Sequence, residues 1–188
     1  MIGAAVSRAK ELSEEYNHYC RDNTATRRCE KELLWCGQCF EMPTIRVLDL
    51  DRDIGDTFPS GIFVSDGAYD ILVRQDLDPA YRRLVICKEI FHIVLDSPDV
   101  RNMDIASHVE EVVADLSEEL PRPSVIVEFA AYAAAMEFLF PHAERVKHAA
   151  LGTPLLSLAA MYDLPVDIID FYMSETMIET LDPGNGDA

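Results

Sequence analysis

The sequence predicts an α+β fold, a small β-sheet or hairpin packed on a mainly helical domain. Three observations carry this reading. Short runs rich in β-branched and aromatic residues cluster between positions 44 and 74. From Pro79 onward the apolar residues recur at helical spacing. The chain has 188 residues, 49% of them hydrophobic, which is enough for one domain with a real core.

The elements follow in order. The first 40 residues read as two helices: Ala4, Ala5, Leu12 and Tyr16 form a stripe on the first, and Leu33, Leu34 and Trp35 lie in the second. Three strands are expected at 44–50, 62–65 and 69–74. Asp66-Gly67-Ala68 supplies the turn between the last two. Pro79 suits a first helical turn, and Leu84, Val85, Ile90, Phe91 and Leu95 continue that helix. A further helix is expected over 103–120, ending at Pro121-Arg122-Pro123. Ser124 is then the expected N-cap of a long apolar helix that runs to Pro141. Two shorter helices, at 155–162 and 166–177, complete the set, and the last seven residues read as a tail. The expected domains are 1–43, an N-terminal helical, Cys-containing segment; 44–180, the main domain; and 181–188, a flexible tail.

Charge narrows the function classes. The net charge is −18, and it is uneven: 13 Lys/Arg face 18 Asp/Glu through Arg101, but only 3 face 16 from Asn102 onward. Direct binding to nucleic acid is disfavoured, because phosphate neutralisation needs a basic surface. An acidic mimic of nucleic acid that inhibits a basic enzyme stays open, beside the plainer reading of a solvated face. No apolar run is long enough to span a bilayer and the start lacks the pattern of a secretory signal, so a cytoplasmic location is expected.

The decapeptide Ile86-Cys87-Lys88-Glu89-Ile90-Phe91-His92-Ile93-Val94-Leu95 is the most informative stretch. In H-E-x-x-H, two histidines four apart lie on one helix face and bind Zn²⁺, with the Glu between them as general base. Here Glu89 and His92 stand in the second and last positions, but Lys88 stands in the first. A protonated amine has no lone pair for a metal.

Residues 61 to 175 resemble the ImmA/IrrE family of bacterial and phage metallopeptidases. The likeness rests on Gly61-Ile62-Phe63-Val64 through Tyr69-Asp70-Ile71-Leu72-Val73, on Arg82 through Asp96, and on Glu128 followed thirteen residues later by Pro141. Leu158 through Val166 is similar to a small helix-turn-helix substructure. The resemblance implies a metallopeptidase-like domain with His92 and Glu128 as zinc ligands and Glu89 as general base. It also implies a regulatory setting, since active members cut DNA-binding repressors.

Lys88 leaves that implied site two protein ligands, where catalytic zinc normally has three plus water. Three resolutions are open. A substitute ligand, His108 or Cys87, completes the site. Lys88 binds the metal as a neutral amine, at the expense of a strongly depressed pKa. Or the Lys88 ammonium takes the metal's place and pairs with Glu128 and Glu89, since buried carboxylates need such a partner.

Cys20, Cys29, Cys36 and Cys39 form a second cluster. Trp35-Cys36-Gly37-Gln38-Cys39 lacks the preceding strand of a redox motif. A structural zinc site, with His18 as a spare ligand, and free thiols in a reducing compartment are equally open.

The expected function is therefore a metallopeptidase-like regulatory protein, a pseudo-peptidase that binds a basic or DNA-binding protein without cutting it. The alternatives are an active zinc endopeptidase that cuts a repressor-like protein, and the acidic mimic.

Overall fold

A computed structural model of the chain describes residues 2–20, 44–51, 60–65, 67–95 and 123–182. Among them the elements run α1 (Ile2–Cys20), β1 (Ile45–Leu50), β2 (Ser60–Ser65), β3 (Ala68–Arg74), α2 (Pro79–Leu95), α3 (Pro123–Leu139), α4 (His142–Leu151), α5 (Leu155–Tyr162), α6 (Val166–Met173) and α7 (Glu175–Thr180). This is an α+β fold, with a three-stranded mixed sheet beside a larger set of helices. The expected second N-terminal helix, which holds Leu33, Leu34 and Trp35, and the expected helix over 103–120 lie outside the described residues. Among the described residues no helix is long and apolar enough to cross a membrane.

The strand order is β1-β3-β2, with β1 parallel and β2 antiparallel to β3. Ser65 pairs with Ala68, which leaves a two-residue loop. Gly67 in that loop has φ +74°, a left-handed conformation that glycine adopts without a Cβ clash. On the central strand Ile71 and Val73 are buried on one face, while their neighbours are only half-buried. That two-residue period turns one side of the sheet toward the helices.

α2 is buried almost all round, from Arg83 through Phe91 and again at Ile93 and Val94. Asp78 caps it: the Ala80 N–H donates to Asp78 Oδ1 at 2.9 Å, and Pro79 holds the first turn. α3 carries Ala130, Ala131, Ala133, Ala134 and Ala135, all at most 1% exposed. Such small side chains let both α1 and α2 approach its backbone. Phe138 joins the three helices, with its ring 5.6 Å from Tyr16 on α1 and 6.0 Å from Phe91 on α2. α1 thus belongs to the one hydrophobic core, through Ala5, Val6, Ala9, Leu12 and Tyr16.

Three helix boundaries differ from the sequence reading. α3 begins at Pro123, so Ser124 is its second residue rather than its cap. Proline tolerates a first turn because its missing N–H would have no intrahelical partner there. The stretch after Pro141, which received no element, is α4. It ends at Gly152 with φ 61°, where the Gly152 and Thr153 N–H groups donate to the Ala149 and His148 carbonyls. The single helix expected over 166–177 is two, α6 and α7. Ser174 is extended at φ −61°, ψ 144°, and its hydroxyl accepts from Met177 N at 3.4 Å to cap α7.

Candidate functional site

Lys88 and Glu89 come from the middle of α2, His92 from its last turn, and Glu128 from the first half of α3. Packing of these two helices brings the four side chains together. Spacing does the rest, since residues four apart on α2 share a face and Lys88 and His92 therefore point the same way.

One carboxylate spans that face. Glu128 Oε2 lies 3.1 Å from Lys88 Nζ, and its Oε1 lies 3.1 Å from His92 Nε2. The contact with His92 is at ion-pair distance but outside the directional range of a ring-nitrogen hydrogen bond, so the buried Nε2 makes none. Lys88 Nζ also reaches Glu89 Oε1 at 2.9 Å. The side chains of Lys88 and Glu89 are 8% and 5% exposed, against 53% for Glu128. The inner pair is thus a buried ion pair, and Glu128 closes it from the solvent side.

Two further residues complete the cluster. The Ser60 hydroxyl, from the first position of β2, donates to Glu89 Oε1. The Tyr132 ring lies with its centroid 5.4 Å from the Lys88 ammonium, within cation–π range. Neither was singled out from sequence. Tyr132 follows Glu128 by four residues on α3, so helical periodicity marks it as a neighbour once Glu128 is placed. Ser60 carries no such signal.

Burial by itself pulls the Lys88 ammonium toward neutrality. The hydrogen bond and charge of Glu89, and then those of Glu128, outweigh it, so the Lys88 pKa rises above its ordinary value. The neutral-amine ligand requires a shift the other way, and the site opposes it. Burial, reinforced by Glu128 and Glu89 against Lys88, also raises the Tyr132 hydroxyl pKa.

A catalytic zinc ion does not fit these residues as they stand. His92 and Glu128 are two donors, an ammonium lies against one of them, and the Glu89 oxygen nearest that ammonium already receives both Lys88 and Ser60. Cys87 offers no substitute: it is fully buried, with Sγ turned to the Ala135 carbonyl of α3 at 4.0 Å. Among the described residues no group of three or more His, Cys, Asp or Glu is arranged to hold a metal. His108, Cys29, Cys36 and Cys39 lie outside the described residues, and so do the side chains of His18 and Cys20.

Ahead of the cluster, the first turns of α2 are tied to the C-terminal helices. Arg83 Nη1 donates to the Tyr162 and Asp163 carbonyls at 2.6 and 2.8 Å. This clamps α2 to the end of α5, where Asp163 takes a left-handed φ of 50°. The Tyr81 hydroxyl donates to Asp167 Oδ2 on α6. No protein-family model and no curated protein sequence matches the chain.

Proposed function

We propose that this chain is a regulatory, protein-binding pseudo-peptidase built on an ImmA/IrrE-like frame, with Lys88 standing where that family has its first zinc ligand. The observation that carries the reading is the Lys88 ammonium, 2.9 Å from Glu89 and 3.1 Å from Glu128. A fixed positive charge neutralises the carboxylates that a metal would otherwise join. The helix pair is thereby kept without the reaction centre. The partner is a basic, DNA-binding-type protein met in the cytoplasm. The excess of 16 Asp/Glu over 3 Lys/Arg after Arg101 supplies the complementary charge, which raises association rate and selectivity more than affinity.

The test is elemental analysis of the purified wild-type protein beside Lys88→His, Glu128→Ala and Cys36→Ser/Cys39→Ser. Lys88→His is expected to gain one zinc equivalent, and Lys88→His/Glu128→Ala to lose it. In the wild type, any zinc present is expected to leave with the two cysteines. Wild-type zinc that survives the cysteine substitutions but vanishes in Glu128→Ala would overturn the proposal. It would turn attention to an active zinc endopeptidase.

A further inference from the structure

A second polar site lies between α1, the end of α3 and the start of α4, and it does not depend on the reading of the Lys88 cluster. A cavity of about 220 Å³ is lined by Lys10, Ser13, Glu14, Asn17, Glu137, Pro141, His142 and Ala143. Its volume falls below the roughly 300–1,000 Å³ of sites for drug-sized ligands, so it suits a molecule of only a few heavy atoms.

The floor is built from buried polar groups. Glu137 is 3% exposed, and its Oε2 accepts from Arg145 Nη2 at 2.7 Å and from the His142 N–H at 2.9 Å. Both bonds go to one oxygen, and Oε1 takes none among the described residues. Ser13 is 5% exposed, and its hydroxyl has no hydrogen-bond partner among the described residues. Ser13 lines the cavity, and its hydroxyl oxygen is not itself sealed from that space. His142 Nε2 lies 2.9 Å from the Ile178 carbonyl, which only accepts, so Nε2 holds a proton and Nδ1 is the ring nitrogen left over.

The rim carries charge of both signs. Lys10 and Glu14 are one helical turn apart on α1, and neither makes an ion pair among the described residues. A bare metal ion is not indicated, because no three His, Cys, Asp or Glu residues among those described converge closely enough to hold one. The acceptors instead suit a group that brings its own donors, a primary ammonium. Lys10 suits an anionic group on the same small molecule.

We propose that this cavity binds a small free α-amino acid, its ammonium received by Glu137 Oε1 and the Ser13 hydroxyl and its carboxylate by Lys10. Binding is a matter of charge-assisted hydrogen bonds at two points, so a ligand carrying only one of the two charges binds far less well.

The test is a titration of the full-length protein with each of the twenty amino acids at millimolar concentration, followed by amide chemical shifts. Methylamine and acetate serve as single-charge controls. At least one amino acid is expected to give saturable shifts at Ser13, Asn17 and Ala143. Lys10→Ala and Ser13→Ala are each expected to weaken it by about tenfold, the loss of one charge-assisted bond. Ala143→Phe is expected to block it by filling the cavity. Lys10 and Ala143 are exposed, so those two substitutions leave the core untouched. The proposal is overturned if no amino acid shifts these amides, or if binding is unchanged in Lys10→Ala and Ala143→Phe. It is overturned equally if methylamine or acetate alone binds as well.

Discussion

Removing the Lys88 ammonium leaves the Glu89 carboxylate buried beside Glu128 with no cation between them. Lys88→Met is therefore expected to destabilise the protein by about 2–4 kcal/mol, at the lower side of the range for broken buried pairs because Glu128 is half-exposed. Adding Glu89→Gln should recover a large part of that loss, since it removes the stranded charge. Urea unfolding of the two variants checks both statements; equal midpoints would show that the charge of Glu89 is not what Lys88 offsets. At Gly152 the constraint is purely conformational. A Cβ there meets nothing within 4 Å, yet φ is +61°, so Gly152→Ala is expected to cost about 1 kcal/mol. The same residue scale shows what sequence can deliver at the site. Lys88, Glu89 and His92 are legible together because they lie within one helical turn. Glu128 is 40 residues from Lys88, and only the family likeness singled it out. Ser60 reaches Glu89 through the packing of the sheet on α2, a tertiary fact with no local pattern.

Helix α4 shows why one element was missed. Its ten residues, His142–Leu151, include only two buried ones, Arg145 and His148, and both are polar. A search for apolar periodicity passes over a helix whose inward face is a guanidinium. Arg145 is 0% exposed, pairs with Glu137 at 2.7 Å and lies 5.8 Å from the Tyr172 ring centroid. Burial pulls the Arg145 pKa down against the opposing charge of Glu137. Arg145→Met is expected to cost about 3–5 kcal/mol by stranding the Glu137 carboxylate. Arg145→Met/Glu137→Leu should be closer to wild type than either single change, as thermal unfolding of all three will show. The tie from α2 to α6 has a pH signature. The hydrogen bond to Asp167 raises Tyr81 to about 12, so its contribution is intact below pH 10 and is lost as pH rises through about 12. After solvent screening it is worth about 0.5–1 kcal/mol. Tyr81→Phe should flatten the fall of stability over that alkaline window, measured against wild type by denaturant titration.

At the scale of the whole molecule, the α+β class was legible from the order of strand-like and helical runs alone. The strand order was not, because nothing local distinguishes β1 beside β3 from β1 beside β2. A net charge of −18 sets up self-repulsion that salt relieves, so the melting temperature is expected to rise by about 2–5 °C from low to physiological ionic strength. The sheet carries one more consequence, for the order in which contacts form. The hairpin joins Ser65 to Ala68 across two residues, whereas the pairing of Ile45 with Tyr69 spans 23 intervening residues, β2 among them. The short connection closes at little entropic expense and the longer one costs more. β1 therefore docks on a hairpin already made, and Arg46 then grips Asp70 through two hydrogen bonds at 2.5 and 2.8 Å across the new seam. In native-state hydrogen exchange β1 should be the first strand to open, with β3 surrendering its protons only when the core itself gives way.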